Sequence, residues 1–342
     1  MSLSDNIDAR LRSATSAEFG VVVIGRNEGD RLKRCLRSLC FDRVPVVYVD
    51  SGSSDGSAEW AQDFGAEVVA LDMVLPFTAA RARNAGFRRL DELWPTLLYI
   101  QFVDGDCEVA PGWFGEAVRL LQQRLDVAVV CGRLRERFPQ HSLYNRLADM
   151  EWDRPTGETD ACGGIAMYRT DVFRAVAGFK DDLIAGEEPE LCLRIRARGG
   201  RIWRIESEMA WHDSAMTRFG QWWQRAVRGG HALAEGFALH PVASPPGEGR
   251  RMRRALGWGV GLPAVAILLA ASLHPAWLAL LIAYPVRALR LAAKAGPALS
   301  SQDLAWAWAI SMVLSSFAES FGIGKFWWNR LRQQRQKLIE YK

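Results

Sequence analysis

The sequence predicts an α/β domain with a mostly parallel central sheet flanked by helices, followed by a C-terminal, membrane-associated helical region. Two observations lead to this prediction. Between residues 20 and 215, short apolar runs rich in β-branched residues alternate with helical stretches, which is typical of parallel strands covered on both faces. Beyond residue 255 the chain is strongly apolar and is flanked by arginine and lysine clusters, as expected at the edges of a bilayer.

The composition excludes several classes of protein. The chain has 342 residues, of which 24% are charged, so it is long enough for a large domain with an appendage and too apolar for wholesale disorder. A net charge of +4 is too small to indicate nucleic acid. The polar residues 1–19 contain no apolar run of a signal peptide, so we expect the N-terminal part in the cytosol. The six cysteines have no paired spacing and indicate buried residues in a reducing compartment: Cys35, Cys40, Cys107, Cys131, Cys162 and Cys192.

The apolar runs define the elements in order. We expect five strands, at residues 20–24, 46–49, 67–71, 97–103 and 127–131, with helices at 31–39 and 57–64. A further strand ends at His212, which gives a catalytic domain over residues 20–215. Ser and Asp side chains in the turn at 50–55 are expected to accept hydrogen bonds from the first N–H groups of the helix that follows.

Polar clusters follow three of these strands. They are Arg26-Asn27-Glu28, the turn 50–55, and Asp104-Gly105-Asp106. Ligands bind beyond the carboxyl ends of strands in such sheets, so we expect one site there. Two carboxylates at a strand end suit Mg²⁺ or Mn²⁺ bridging a nucleotide diphosphate, although an Asp-x-Asp motif alone is unspecific.

Several motifs occur together in a definite order. They are VVIGRNE (22–28), VDSGSSDGS (49–57), ARNAG (82–86), DGD (104–106), CGG (162–164), GF (178–179) and GEEPELCLR (186–194). With this order and spacing, the chain resembles the family 2 inverting glycosyltransferases over nearly 200 residues. The resemblance implies a GT-A type fold that binds a nucleotide sugar.

The resemblance also implies roles for individual residues. The base end of the donor pocket would be lined by Arg26, Asn27 and Glu28, with base and ribose held by the turn that includes Asp50, Ser51, Ser53 and Asp55. Arg83 and Asn84 would lie near the diphosphate, and Asp104 and Asp106 would hold the ribose edge and the metal. Asp106 and His212 would bind the metal, and Gly163 and Gly164 would face the acceptor.

Glu188 stands where the family carries its general base, the carboxylate that deprotonates the acceptor hydroxyl. The family usually has an Asp there, so Glu187 stays open as an alternative and Glu190 as a weaker one. Acidic side chains at the N-terminus of a helix also interact favourably with the helix dipole, so these glutamates would be expected there without any catalytic role. His212 is nearly as well explained as a structural histidine, with Asp213 as a second candidate.

The C-terminal part predicts membrane attachment. Residues 255–273 are 19 uncharged residues, long enough to span a bilayer, and 275–285 continue the apolar run. Residues 301–326 carry a polar stripe of Ser311, Ser315, Glu319 and Ser320, which favours a helix lying in the interface. The basic residues predict two crossings, or a shallow hairpin, that return to the cytoplasm: Arg250, Arg251, Arg253, Arg254, Arg287, Arg290 and Lys294. The domain limits are therefore 216–250 for an interface helix with its linker and 251–342 for the membrane region.

The segment 217–234 carries Trp222, Trp223 and Arg225 at helical spacing. Such residues suit a helix at headgroup level, beside a lipid-borne acceptor, although a helix packed on the catalytic domain gives the same pattern. Too few spanning segments are present for a polymer channel, which favours the transfer of a single sugar.

We therefore expect a metal-dependent inverting glycosyltransferase at the cytoplasmic face of the inner membrane. Its donor would be a nucleotide sugar, UDP-linked for preference, and its acceptor lipid-linked; membrane lipid, but no nucleic acid, would be its other partner. Polyprenyl phosphate is an alternative acceptor, and a non-catalytic nucleotide-sugar-binding subunit is an alternative of another class. A dinucleotide oxidoreductase is excluded, because Gly25-Arg-Asn-Glu-Gly29 lacks the GxGxxG turn.

Overall fold

The computed structural model describes residues 18–39, 44–241, 246–296, 301–334 and 339. The chain divides into two compact units. An α/β unit comprises Met1–Pro139 and Ala148–Ala215, and a helical unit comprises Gln140–Leu147 and Met216–Lys342. The finer division of the second part at residue 251 stays a prediction.

The α/β unit contains a nine-stranded sheet. Its strands are β1 Phe19–Gly25, β2 Val46–Asp50, β3 Glu67–Ala70, β4 Tyr99–Asp104, β5 Cys107–Val109, β6 Val127–Glu136, β7 Gly157–Glu158, β8 Ala166–Arg169 and β9 Arg201–His212. The helices are α1 Asp30–Arg37, α2 Ser57–Phe64, α3 Ala79–Leu93, α4 Trp113–Gln123, α5 Leu143–Trp152, α6 Thr170–Ala175 and α7 Glu187–Ala197, of which α5 begins in the helical unit.

The strand order is β3-β2-β1-β4-β8-β6-β9-β5, with β7 also paired to β9. The first four strands are parallel, as are β6 and β9. Strand β8 is antiparallel to β4 and β6, while β5 and β7 are antiparallel to β9. The predicted fold class is confirmed, but the sheet is mixed beyond β4. The antiparallel strands β5, β7 and β8 are two to four residues long, too short to leave a periodic pattern in the sequence.

The core of this unit explains how α3 reaches the site. Val22 and Val49 are fully buried in β1 and β2, and a Cβ added at Gly86 would lie 2.3 Å from the Val22 side chain. Only glycine therefore allows α3 to lie this close to the sheet. Because Thr78 Oγ1 accepts a hydrogen bond from Arg81 N at 3.1 Å, α3 starts at a defined residue.

The described cysteines, Cys35, Cys107, Cys131, Cys162 and Cys192, are all free and buried, which confirms the predicted burial. The Sγ atoms of Cys162 and Cys192 lie 3.5 Å apart. Cys40 lies outside the described residues.

The helical unit contains α8 Phe219–Leu239, α9 Pro246–Leu256, α10 Leu262–Ser272, α11 Ala283–Ala295 and α12 Gln302–Leu331. A π-type turn, Gly257–Gly261, joins α9 to α10, and a 3₁₀ segment, Pro275–Ile282, precedes α11. Three stretches are long and apolar enough to cross a membrane: Gly247–Ser272, Pro275–Ala295 and Gln302–Leu331.

Helices α8 and α12 cross with their backbones in contact. A Cβ at Gly230 of α8 would lie 2.1 Å from the carbonyl oxygen of Glu319, and one at Gly322 of α12 would lie 2.0 Å from that of Val227. Real Cβ atoms do not approach backbone oxygens this closely, so the crossing requires glycine on both helices. Small residues play this part in tightly packed helix pairs.

The polar stripe of α12 faces other helices of the same unit. Glu319 pairs with Arg251 at 2.7 Å, and Ser320 Oγ donates to the carbonyl oxygen of Ala255 at 2.8 Å. On the sequence alone, this stripe favours a helix that lies in the membrane interface. Since half of the stripe is used for internal packing, it does not by itself distinguish an interfacial helix from a third crossing, and two crossings stay a prediction.

Candidate active site

The polar clusters meet at one edge of the sheet because their strands are parallel. Gly25, the last residue of β1, is opposite Asp50, the last residue of β2. On the other side of β1, Ile24 is opposite Asp104 at the end of β4. The segments that follow these strands therefore emerge side by side.

The segment after β1 is bound to the turn after β2. Asn27 N donates to Ser53 Oγ at 2.9 Å, and Ser54 N donates to Asn27 Oδ1 at 2.8 Å. One turn further, Gly29 N donates to Asp55 Oδ2 at 3.0 Å. Asp55 Oδ1 also accepts a hydrogen bond at 3.0 Å from the N–H group of Ser57, the first residue of α2. This confirms that an Asp side chain of the turn binds a first N–H group of this helix. Asn27 and Asp55 thus give the two segments a fixed geometry.

Asp50 is buried and shapes this turn from within. One carboxylate oxygen accepts from Tyr48 Oη at 3.1 Å, and the other accepts from the N–H groups of Gly52 and Ser53 at 3.0 and 2.8 Å. Ser51 is buried beside it. These contacts of Asp50 fix the turn, and its role in holding base and ribose stays a prediction.

Arg26 and Glu28 point in different directions. The exposed Arg26 lies with its guanidinium 4.6 Å from the ring centroid of Phe77. Glu28 pairs with Arg31 at 2.8 Å and lies next to Gly105, where an added Cβ would be 3.3 Å from Glu28 Cγ. Arg26 with Phe77 forms a flat cationic surface, whereas Glu28 supports the Asp104-Gly105-Asp106 turn.

Arg83 is the central cation of the site. It is buried, and its guanidinium binds Asp104 Oδ1 at 2.8 Å and Glu187 Oε1 at 2.7 Å. Burial would lower the pKa of Arg83, but Asp104 and Glu187 outweigh it and raise the pKa well above its usual value. Arg83 therefore stays charged and connects the strand-end acid of β4 to the first residue of α7.

The two glycines after Cys162 occupy different environments. A Cβ at Gly164 would lie 2.8 Å from Arg83 Nη2 and 3.0 Å from Asp104 Oδ2. Gly163 is exposed, has a φ of +83°, and would meet nothing within 4 Å. Gly164 consequently lets the chain pass directly over the Arg83–Asp104 pair, whereas Gly163 supplies the left-handed turn before it.

Asn84 is used as a structural clamp. Its Nδ2 donates to the carbonyl oxygen of Phe179 at 2.8 Å and to Asp181 Oδ1 at 2.7 Å, and its Oδ1 accepts from Phe179 N at 3.0 Å. The centroid of the Phe179 ring in turn lies 5.5 Å from the guanidinium carbon of Arg83. These contacts hold the loop 178–181 over α3, so Asn84 acts on the neighbourhood of Arg83 through that loop.

Asp106 and His212 are brought together from two strands. His212 Nε2 lies 3.1 Å from Asp106 Oδ2, because Cys107 of β5 is opposite His212 of β9. The imidazole stacks on the Trp152 ring at a centroid distance of 4.8 Å. With Cys107, these residues form a group whose ligand atoms all lie within 4.8 Å of one another.

Three glutamates begin α7, and they differ in their partners. Glu187 pairs with Arg83, and Glu190 forms a two-pronged pair with Arg194, with contacts as short as 2.7 Å. Within the described part of the chain, Glu188 forms no ion pair. Burial and the neighbouring Glu187 raise the pKa of Glu188 from 4.5 to about 7, against the opposing effect of Arg83. A pKa of about 7 allows Glu188 to exchange a proton at neutral pH.

Three residues predicted on the acceptor or membrane side belong to the other unit. Trp222, Trp223 and Arg225 lie on α8 in the helical unit. Trp222 is buried beside Tyr144 and Phe219, at centroid distances of 6.5 and 5.6 Å. Asp213, the alternative to His212, pairs with Arg34 at 3.1 Å. A contact of these α8 residues with acceptor or lipid stays a prediction.

Sequence reasoning missed three side chains of the site. Phe77, Trp152 and Tyr48 contact Arg26, His212 and Asp50, respectively. Tyr48 could have been found, because a tyrosine within the buried run VVYVD needs a hydroxyl partner. Phe77 and Trp152 lie far in sequence from the residues that they contact, and no periodic pattern marks them.

Comparison with known sequences gives one family. Residues 20–177 match the model of "Glycosyl transferase family 2". Over 187 residues the chain is 24% identical to "Glycosyltransferase AglE" of Haloferax volcanii, a match that covers 51% of this chain and 60% of that protein. The matched region therefore spans less than two thirds of this relative.

Two solved structures share the fold over nearly the whole chain. A mannosyltransferase from Pyrobaculum calidifontis, PcManGT, solved with GDP-Man and Mn²⁺, has a TM-score of 0.57 and 19% identity, with 96% of each chain covered. S. aureus TarS 1-349 has a TM-score of 0.52 and 14% identity, with 89% of this chain and 92% of that chain covered. At these identities, the similarity concerns the fold.

Proposed function

We propose that the chain, whose residues 20–177 match the model of glycosyl transferase family 2, transfers a single sugar from a nucleotide donor to a lipid-linked acceptor, with inversion at the sugar carbon. The observation that carries the proposal is the buried Arg83. It ties Asp104, at the end of β4, to Glu187, next to Glu188. Arg83 thereby fixes an acid expected to bind the donor and the acid that directly precedes the expected base.

The residues present fit a divalent metal. The site combines four acids, Asp104, Asp106, Glu187 and Glu188, with the buried cation Arg83, which leaves an excess of negative charge for a metal to offset. We assign the metal to Asp106 Oδ2 and His212 Nε2, 3.1 Å apart, with Asp104 beside them. The soft, buried Cys107 thiol is not assigned, because Mn²⁺ and Mg²⁺ prefer oxygen and imidazole ligands. When bound, such a metal offsets the negative charge on the departing diphosphate.

The nucleotide is assigned to the edge formed by the segments after β1 and β2. Arg26 on Phe77 offers a flat cationic surface for a base, and the hydroxyls and N–H groups around Ser53 offer hydrogen bonds to base and ribose. UDP is the nucleotide that we expect first. GDP is the second candidate, since the structurally similar Pyrobaculum enzyme was solved with GDP-Man.

Glu188 is assigned as the general base. A carboxylate whose pKa is about 7 is well matched to accept a hydroxyl proton at neutral pH. In the proposed step, the acceptor hydroxyl transfers its proton to Glu188 while its oxygen bonds to the anomeric carbon. The bond from that carbon to the diphosphate oxygen breaks, and the nucleoside diphosphate leaves with the electron pair. Attack opposite the leaving group inverts the configuration.

The acceptor is assigned to a membrane lipid because three stretches of the helical unit are long and apolar enough to cross a bilayer. We place the α/β unit at the cytoplasmic face, following the basic residues at both ends of the first two stretches. Single cysteines at His274 and Lys294, in a cysteine-free background on intact cells, test this. An impermeant thiol reagent should label position 274 and not 294, and the reverse result would contradict the orientation.

A donor screen tests the activity. Full-length protein in lipid is incubated with UDP- and GDP-sugars and Mn²⁺, and the released nucleotide is measured with and without a crude lipid acceptor. We expect one nucleotide to be released, and Asp106→Asn to serve as the inactive control. Saturable donor binding without turnover on any lipid extract would favour the alternative of a non-catalytic nucleotide-sugar-binding subunit.

A further inference from the structure

A shallow, open cavity lies at the start of the first apolar segment of the helical unit. Its volume is about 260 Å³, and it is lined by Arg253, Arg254, Gly257, Trp258, Leu262 and Ala283. The two arginines belong to the last turn of α9, and the other residues come from the π-type turn, α10 and α11. The cavity therefore combines a cationic side with an aromatic and apolar side.

The two arginines of this cavity have no acidic partner among the described residues. In the residues that the structure describes, neither Arg253 nor Arg254 forms an ion pair, whereas the nearby Arg251 is paired with Glu319 at 2.7 Å. Arg254 also lies close enough to Arg287 to repel it. The Arg287 guanidinium lies over the Trp258 ring, 4.5 Å from its centroid. Positive charge thus gathers around Trp258.

The helix dipole does not account for this arrangement. Arginines in the last turn of a helix can offset its unpaired carbonyl groups. Here, however, α9 continues through the π-type turn into α10, and the whole stretch Gly247–Ser272 is one helix of 26 residues. No helix end lies at Arg253 and Arg254, so their charge is available to another partner.

We propose that this cavity binds the phosphate headgroup of an anionic membrane lipid. Arginine binds phosphate oxygens through paired N–H groups, and basic pockets between membrane helices accommodate anionic headgroups. The volume suits a phosphate group with its nearest carbons. Trp258 and Tyr284, whose hydroxyl donates to the Trp258 carbonyl oxygen, are residues typical of the headgroup level. Leu262 and Ala283 would then flank the first carbons of the lipid chain.

A binding measurement without any sugar donor tests this inference, so its result is independent of the proposed transferase activity. Delipidated full-length protein in neutral detergent is titrated with radiolabelled dioctanoyl phosphatidic acid. We expect saturable binding by the wild type. The double variant Arg253→Gln/Arg254→Gln should bind at least about tenfold more weakly, which is the loss expected for one charge-assisted hydrogen bond. Arg290→Gln, an exposed arginine of α11 that does not line the cavity, is the matched control and should bind normally.

Two further measurements distinguish lipid binding from a folding defect and from the binding of free phosphate. Arg253→Lys/Arg254→Lys keeps the charge but loses the paired N–H groups, so its affinity should lie between those of the wild type and the glutamine variant. Equal thermal unfolding temperatures of the wild type and the glutamine variant would show that a loss of binding is not a loss of folding. Unchanged binding in the glutamine variant would overturn the proposal, as would equal affinity for dioctanoyl phosphatidylcholine. Displacement of the lipid by inorganic phosphate at similar concentration would instead indicate a site for free phosphate, and would also overturn it.

Discussion

Arg83 of the α/β unit and the arginine pair Arg253 and Arg254 of the helical unit differ in whether they form ion pairs. In the α/β unit, Arg83 is buried and binds two carboxylates, Asp104 and Glu187, at 2.8 and 2.7 Å. In the helical unit, Arg253 and Arg254 line a cavity and form no ion pair among the described residues. Both groups lie where a ligand is proposed, yet one is internally neutralised and the other is not.

This difference fits the two proposed roles, catalysis at the site around Arg83 and lipid binding at Arg253 and Arg254. A buried charge is costly unless it is paired, and removing one partner of a buried pair is strongly destabilising. The pairs of Arg83 therefore fix Asp104 and Glu187 before any substrate binds, as catalysis requires. An unpaired charge at the surface costs little and is free to bind a counter-charge from outside. The predictions below test this comparison, from the largest expected effect to the smallest.

Replacement of the proposed base should have the largest effect. In Glu188→Gln the shape is preserved, but no group is left to accept the acceptor proton, so kcat should fall by about 10²–10⁴-fold while donor binding survives. Steady-state kinetics and donor titration measure the two quantities separately.

Glu190→Gln is the matched control for that variant, because Glu190 stands in the same helical turn but pairs with Arg194. Glu190→Gln should lower the free energy of unfolding, because it breaks this ion pair, but it should change kcat little. If Glu187→Gln is inactive while Glu188→Gln retains turnover, then Glu187 is the base and our assignment is wrong.

Removal of a proposed metal ligand should come next. Asp106→Asn should lose about 10²-fold or more in kcat, because the charge of the departing diphosphate would no longer be offset. EDTA should abolish wild-type activity, and Mn²⁺ or Mg²⁺ should restore it. Full activity of Asp106→Asn in metal-free buffer would contradict a metal-dependent reaction.

Activity should depend on pH through Glu188. Because a base acts in its deprotonated form and the pKa of Glu188 is about 7, kcat should fall about tenfold per pH unit below 7. Arg83 opposes the rise of this pKa, so Arg83→Gln should move the acid limb of the profile to higher pH. An acid limb near pH 4.5 in the wild type would show that Glu188 is not perturbed or not the base.

A methyl group at Gly164 should disturb the Arg83–Asp104 pair. In Gly164→Ala the added Cβ would lie 2.8 Å from Arg83 and 3.0 Å from Asp104, so we expect kcat/KM to fall by about tenfold, the effect of a small displacement in an active site. Gly163→Ala is the control. Its φ of +83° makes alanine strained, but nothing lies within 4 Å, so it should lower stability by about 1 kcal/mol with little effect on kinetics.

The smallest expected effect is a gain in stability. Since the pKa of Glu188 is raised on folding, ionisation of this group destabilises the fold as pH rises from about 4.5 to 7, and the full cost is present above pH 7. Glu188→Gln should therefore raise the free energy of unfolding at pH 8 by about 1–3 kcal/mol, and by nothing at pH 4. Thermal unfolding of both proteins at pH 4 and pH 8 measures this difference. Equal stability of the wild type and Glu188→Gln at pH 8 would mean that folding does not raise the pKa of Glu188.

The sequence allowed the strand ends to be placed together, because the apolar runs of β1, β2 and β4 predict parallel neighbours whose polar successors meet at one edge. It did not predict the contact of Gly164 with Arg83, since residues 162–164 lie in a loop without periodicity. For α12, the serine and glutamate stripe was visible. Its partners, Arg251 and the Ala255 carbonyl group, could not be read from a single helix, because packing between distant segments decides which face is covered.

The glycine crossing of α8 and α12 has a consequence for how the chain is made. Gly230 and Gly322 are 92 residues apart in sequence, so α8 leaves the ribosome long before the helix against which it packs. At a synthesis rate of about 5–20 residues per second, the wait is roughly 5–20 s. During this interval the glycine face of α8 is not yet covered by α12. The crossing is therefore a late event in biogenesis, and defects at Gly230 or Gly322 should appear as degradation of newly made protein before any loss of catalytic rate is measured.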